Sequence, residues 1–430
     1  MTVLTCFPFP AVSGTQRRIA GNLDLLQRLG CLNHVLYYTN EEQTATVLEA
    51  ISIQGLCAEA ICAGSRREQD QFGKWSLILH KLDSLVRGAL GIRARRYPFS
   101  MRYDAVGACR RILVEARRMH ADIVILPSVF MHYTDRLAAE GFRVIADAYD
   151  VLSEITASLM KSHREENWQK RLSLYANYLA CRAQERIFLP RCDEIWATSW
   201  SEAEVLSRIA PRTRILVVPN SLDERIIRPN GQIPMGDYVG FLGLYSFQPN
   251  LEAALFLAEQ VFPAVIARRP AARLRLAGAH LPEEARKRLG RIPNIDLLGL
   301  VPDSGKFIDE CAVIALPILV RGGVPVKLVE SMARGKAVVA RPELVDGLPV
   351  LDGKDLLVRT DPEEFAKAIV DLLARPEEAA RLGENARRTF VDNWSTESAL
   401  KNMRRKSILS RRGNGDGQAI PIHHSAKRKR

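Results

Sequence analysis

Short apolar runs recur along the chain, each followed by a longer stretch in which apolar positions return every three or four residues. In the first half the runs are Thr2 to Phe7, His34 to Tyr38, Ile123 to Leu126, Arg143 to Asp147, Glu194 to Thr198 and Arg214 to Val218. Helical periodicity fills the intervals at Thr15 to Leu29, Tyr103 to Met119, Arg164 to Phe188 and Glu202 to Ile209. A second series predicts strands at Asp237 to Leu242, Arg273 to Ala277, Ile295 to Leu298, Val313 to Leu316, Ala337 to Ala340 and Leu356 to Val358. Apolar strands alternating with helices predict parallel sheets covered on both faces.

The two series are separated by a polar stretch from Pro219 to Gly236 that carries three prolines and two glycines, the composition of a linker. The expected organisation is therefore α/β, with two doubly wound units in tandem at 1–218 and 219–395. Helices at Pro362 to Ala374, Glu377 to Asn393 and Thr396 to Ser410 close the ordered part. The tail 413–430 has little to bury and is expected to be disordered. A length of 430 residues suits two domains better than one.

Composition changes this picture little: 47% apolar and 26% charged residues describe a soluble globular chain. No run approaches the roughly 18 apolar residues of a membrane span. The apolar start, Met1 to Pro10, lacks a basic leader and reads as a buried strand rather than a signal peptide. Eight scattered cysteines and eight dispersed histidines show no zinc, disulfide or other metal spacing, so a cytoplasmic chain without a metal or cofactor is expected. The net charge of +12 implies an anionic partner, and nucleic acid, an acidic membrane face and a phosphorylated substrate all meet that description.

Ligands of open parallel sheets lie beyond the carboxyl ends of the strands, where glycines admit backbone and helix N-termini face anions. Three segments fit. Between the first strand and first helix, Gly14 and Thr15 offer backbone N–H groups to a phosphate, with Arg17 and Arg18 close by; a turn and helix cap is the plainer reading. After the first strand of the second unit, Gly240 and Gly243 precede Asn250, a candidate N-cap for Leu251 to Ala258. The third runs from Pro317 through Arg321, Gly322 and Gly323 into a helix entered at Pro325. Lys327 in its first turn and Glu330 three residues later share a face, suited to a diphosphate and to ribose hydroxyls respectively. Alone, such a pair is more often an ordinary ion pair on a solvated face.

Residues 317 to 335, read with Val239 to Gly243, Gly299 to Asp303, Asp361 to Phe365 and the linker Pro219-Asn220-Ser221-Leu222-Asp223, resemble the group 1 (family 4) GT-B glycosyltransferases. The resemblance spans about residues 1 to 400 and is densest from 217 to 395. It implies two Rossmann-like domains facing a central cleft, an acceptor domain at 1–218 and a donor domain at 219–395, with the last helix (396–412) crossing back onto the first domain. It also implies retaining, metal-independent transfer of a hexosyl unit from a nucleoside diphosphate sugar to a glycan, lipid-linked or small-molecule acceptor. Carried over, Lys327 grips the diphosphate, Glu330 the ribose, and Gly14 the distal phosphate, with Gly243, Arg321 and Gly323 lining the donor.

The sequence departs from the family in two places. Gly322 stands where a first glutamate is common, and Leu244 and Asn250 stand where an Arg and a Lys are common. Phosphate binding then rests on Lys327, Arg321 and backbone N–H groups. On the acceptor side Asp150 and Asp147 follow the fourth-strand segment and are the candidates for orienting the acceptor hydroxyl; a helix cap is their alternative. Phe72, Trp75, Leu79, Leu82 and Val86, followed by Arg87, Arg93, Arg95 and Arg96, form a basic amphipathic stretch. It either packs on its own sheet or lies on an anionic membrane, peripheral to the inner face. Nucleic acid is not the expected partner. The departures also motivate an alternative, a non-catalytic GT-B paralogue that binds nucleotide or glycan.

Overall fold

The computed structural model describes residues 1–4, 14–39, 59–65, 86, 108–162, 168–222, 236–319 and 324–409. Within them, seven strands form one sheet: β1 (Thr2–Leu4), β2 (His34–Thr39), β3 (Glu59–Ser65), β4 (Ile123–Pro127), β5 (Arg143–Asp147), β6 (Glu194–Ala197) and β7 (Arg214–Val217), in the order β3-β2-β1-β4-β5-β6-β7. Six form a second: β8 (Tyr238–Leu242), β9 (Arg273–Ala277), β10 (Ile295–Gly299), β11 (Val313–Leu316), β12 (Ala337–Ala340) and β13 (Leu357–Val358), in the order β10-β9-β8-β11-β12-β13. Pairing is parallel in both, as between β4 and β5 (Ile125 opposite Ile145) and between β8 and β9. The second sheet thus has the 3-2-1-4-5-6 order of a doubly wound unit, and the first has the same order with a seventh strand added at its edge.

That order decides where ligands go. Its reversal opens a crevice between β1 and β4 in the first sheet and between β8 and β11 in the second. The chain after β1, β8 and β11 leads to Gly14, Gly243 and Lys327, so these three described residues lie on the segments that follow the switch-point strands.

Burial follows the strand pattern. Val144, Ile145 and Ala146 in β5 and all of β11 and β12 are buried, as strands covered on both faces must be. Helices begin where side chains satisfy their first N–H groups. The hydroxyl of Ser199 accepts from Glu202 N, Asp303 accepts from Gly305 N and Lys306 N, and Asp361 accepts from Glu363 N and Glu364 N.

Several predicted elements change. Glu59–Ser65 is a strand that the pattern missed, because Glu59, Gly64 and Ser65 break its apolar run. Leu152–Ser162 is a helix, its N-terminus held by Glu185, which accepts from Ser153 N at 3.1 Å. The continuous helical stretch Gln248–Arg268 is long and apolar enough to cross a membrane, which corrects the expectation that no run approaches that length. It is a core element here: Ala253, Ala254, Leu257, Ala258, Val261 and Val265 are buried in the second domain.

The last helix, Thr396–Lys406, crosses to the first sheet. Ala399, Leu400 and Met403 pack with Leu25, Leu26, Ile145 and Trp196. Glu194 of β6 fastens its end, accepting from Ser407 Oγ at 2.7 Å and Ile408 N at 2.9 Å. The amphipathic stretch 72–86 lies outside the described residues except for Val86, as do 223–235 of the linker and the tail 413–430.

Candidate donor and acceptor site

Lys327 and Glu330 lie on the helix Val326–Ala333, which starts at the β11 switch point. Lys327 reaches back under the β8 loop, where Nζ donates to Asn250 Oδ1 at 2.7 Å and stands 4.7 Å from the Phe241 ring centroid. The stem is half-buried but its ammonium end is enclosed, and this burial lowers its pKa to about 7. Gly243 is a necessity of that packing. A Cβ there would stand 2.8 Å from Asn250 Cγ and 3.0 Å from Lys327 Nζ.

Asn250 is not the N-cap predicted from sequence. The helix starts earlier, at Gln248, and Asn250 sits inside its first turn. Its amide donates to Leu244 O at 2.9 Å while its carbonyl receives Lys327. The side chain closes the loop onto the lysine instead of capping the helix. The next strand supports the same loop: Gly278, at φ +147°, lies so close to the Gly243 carbonyl that a Cβ would sit 1.8 Å from the oxygen.

Glu330 is buried, 4% exposed, and both carboxylate oxygens are engaged. Ser304 Oγ donates to Oε1 at 3.0 Å, and Arg17 Nη1 donates to Oε2 at 2.8 Å. Arg17 Nη2 also donates to Ser304 Oγ at 2.6 Å, closing a triangle. Arg17 belongs to the first domain, on the helix Gly14–Arg28, so this triangle joins the two domains. Gly14 is the first residue of that helix, which puts a helix N-terminus at the β1 switch point. Arg321, Gly322 and Gly323 lie outside the described residues.

The two first-domain carboxylates singled out in the sequence differ in surroundings. Asp147, at the end of β5, is 5% exposed and saturated. Arg18 Nε donates to Oδ1 at 3.0 Å and Asn22 Nδ2 to Oδ2 at 2.8 Å. Arg18 Nη1 in turn donates to Val218 O at 2.8 Å and Asn220 Oδ1 at 3.2 Å. Burial pushes the Asp147 carboxyl up, and Arg18 and Asn22 pull against it. Asp147 therefore fixes the first helix to β5 and to the start of the linker. Asp150, three residues on, is half-buried and adds to the field on Glu202, whose pKa rises to about 7 chiefly through burial and then through Asp150.

Glu202 lines an interdomain cleft of about 870 Å³ whose first-domain wall includes Val151, Ser153 and Arg186 and whose second-domain wall includes Leu319 and Glu343. Val151, which lines the same cleft, follows Asp150 directly in the chain. Sequence reasoning missed Ser304, Asn22 and Glu202. Ser304 and Glu202 read as ordinary first-turn helix residues, and their signal was confined to the capping pattern around Asp303 and Ser199.

Residues 236–375 match the family model described as glycosyl transferases group 1. No curated protein matches the chain. Among solved structures, TarM of S. aureus, in a complex with fondaparinux, alpha-GlcNAc-glycerol and UDP, is 10% identical with a TM-score of 0.65, covering 94% of this chain and 98% of that one. Sucrose-phosphate synthase of Thermosynechococcus elongatus is 15% identical at a TM-score of 0.66, over 94% and 97%. Anabaena Alr3699/HepE in complex with UDP is 13% identical at 0.59, over 94% and 99%. At these identities the likeness establishes the fold, two Rossmann-like domains of the GT-B type.

Proposed function

Starting from a chain of GT-B fold whose second domain is a group 1 glycosyl transferase domain, we propose that it is a retaining, metal-independent glycosyltransferase using a nucleoside diphosphate sugar. The observation that carries this reading is Lys327 and Glu330 on one turn of a switch-point helix, with Glu330 hydrogen-bonded to Arg17 of the first domain. Lys327 and the N–H groups at Gly14 receive the diphosphate, and Glu330 accepts the ribose hydroxyls. The similar solved structures bound to UDP, TarM and Alr3699/HepE, support a nucleotide donor.

In the proposed transfer, the bond from the anomeric carbon to the diphosphate oxygen breaks as one to the acceptor oxygen forms on the same face. The acceptor proton leaves on the departing diphosphate. Charge develops on that diphosphate, where Lys327 and the helix N-terminus oppose it. Asp150 orients the acceptor hydroxyl, and Asp147 acts through Arg18 to hold the first helix in place.

Thermal shift with a panel of nucleoside diphosphates, followed by a donor-consumption assay with the matching sugars, tests the reading. A binding diphosphate raises the melting temperature by mass action. Lys327→Ala and Glu330→Ala should each lower donor turnover by about a hundredfold or more. Undiminished turnover in both would sink the site assignment, and an inverted anomeric configuration in the product would sink retention.

A further inference from the structure

We propose that Arg17 is a second cation for the donor diphosphate, supplied across the cleft by the first domain and exchanged from Glu330 to the diphosphate as the ribose binds. This rests on the donor-site reading above and adds a residue to it from the other domain.

Charge balance calls for such a residue. A doubly charged diphosphate between the two switch points needs more than one cation, and the β8 loop offers none: Leu244 is apolar and Asn250 is neutral. Asn250 is moreover committed to Lys327 and Leu244 O. Lys327 carries less than a full charge near neutral pH, because burial lowers its pKa to about 7.

Geometry selects Arg17. It lies one turn into the helix that begins at Gly14, so its guanidinium starts from the same end of the helix that faces the β1 switch point. Its side chain remains 22% exposed and is tied by two hydrogen bonds, to Glu330 and Ser304. Arg18 beside it cannot serve, since it is 3% exposed and bonded to Asp147, Val218 O and Asn220.

Acceptor capacity leaves room for the ribose, and the charge of the diphosphate drives the exchange. A carboxylate has about four acceptor sites. Ser304 and Arg17 already occupy one on each oxygen of Glu330, and two ribose hydroxyls would fill the others. A diphosphate within reach then offers Arg17 a partner of higher charge with the paired-oxygen geometry that a guanidinium fork matches. Ser304 stays behind to orient Glu330 for the ribose.

Calorimetric titration of the full chain separates this role from a tether. The ligands are UDP, ADP and GDP, each against its own nucleoside, with wild type, Arg17→Ala and Arg17→Lys. For the diphosphate that binds wild type, the ratio of diphosphate to nucleoside affinity should fall by about tenfold to a hundredfold in Arg17→Ala. Nucleoside binding should stay unchanged or tighten, and Arg17→Lys should recover part of the ratio. A ratio that stays at its wild-type value while both ligands weaken together would overturn the proposal and leave Arg17 a domain tether. If no diphosphate binds wild type, the donor-site reading itself falls and this proposal falls with it.

Discussion

Lys327 gives the donor site two pH dependences of opposite sign. Burial lowers its pKa to about 7 in the folded chain, whereas an unperturbed lysine titrates near about 10.4. Between these values the unfolded chain binds more protons than the folded one. By linkage, the stability of the unliganded protein rises with pH across that window, and the cost of enclosing an ammonium is felt in full only below about pH 7. Donor binding runs the other way, because the diphosphate takes the protonated lysine. The diphosphate of a nucleotide sugar is esterified at both ends and lacks the second ionisation, near about 6, of a terminal phosphate. The lysine is then the group that titrates.

With a pKa of about 7 before binding and a bound value above the range tested, affinity should fall about 25-fold, or about 1.9 kcal/mol, from pH 6.5 to pH 8.5. Calorimetry in buffers of different ionisation enthalpy should report uptake of about 0.9 proton per donor at pH 8. Asn250→Asp provides the control. A carboxylate 2.7 Å from the ammonium should hold Lys327 charged past pH 8.5 and remove the alkaline fall, while repelling the diphosphate and lowering affinity by about tenfold. Affinity that stays flat across those two pH units, with no buffer-dependent heat, would refute the reasoning.

Other outcomes follow from the same packing. Gly243→Ala places a Cβ 2.8 Å from Asn250 Cγ and 3.0 Å from Lys327 Nζ, so donor affinity measured by calorimetry should drop about tenfold with a modest change in melting temperature. Asp147→Ala leaves Arg18 buried without its carboxylate and should cost about 3–5 kcal/mol in denaturant unfolding. Asp150→Asn should instead leave unfolding nearly unchanged and lower the transfer rate by about a hundredfold; a reversed pattern would exchange the roles given to these two residues. Glu202, with its pKa raised to about 7, binds a proton in the folded chain that the unfolded chain releases near about 4.3. The stability it contributes is complete below that lower value and is lost as pH rises through 7, a span of up to about 4 kcal/mol that Glu202→Gln should flatten.

The two sheets and the helix that carries Lys327 and Glu330 were legible in the sequence because they depend on local pattern. Strands buried on both faces read as short apolar runs, and β5, β9, β11 and β12 match their predicted limits residue for residue. Glu59–Ser65 escaped because an edge strand, bordered by β2 alone, can carry polar and glycine positions that break the run. Asn250 was misread for a related reason. An Asn ahead of an apolar helical run is a good cap by propensity, but Pro249 fits the first turn and lets the helix start at Gln248. That shift turns the amide inward onto Leu244 O and Lys327. The contact spans 77 positions in sequence, a distance at which propensity carries no information.

Arg17 and Arg18 show the limit most sharply. In sequence they are interchangeable, two arginines just after a glycine that opens a helix. A helix turns about 100° per residue, so neighbours cannot share a face, whereas positions four apart do. Arg18 therefore points with Asn22 toward β5, and both meet Asp147. Arg17 points into the cleft and meets Glu330 of the other domain. The two residues need each other's work. The buried ion pair of Arg18 fixes the rotation of the helix about its axis, and that rotation aims both Arg17 and the N-terminus at Gly14 at the donor side. If the proposed donor site holds, Asp147, which touches neither the cleft nor the helix of Lys327 and Glu330, should act on donor affinity at a distance. Asp147→Asn should shift the diphosphate-to-nucleoside affinity ratio in the same direction as Arg17→Ala, by a smaller factor, in protein that is still folded. An Asp147→Asn protein with a wild-type ratio would show that the helix keeps its rotation without the ion pair.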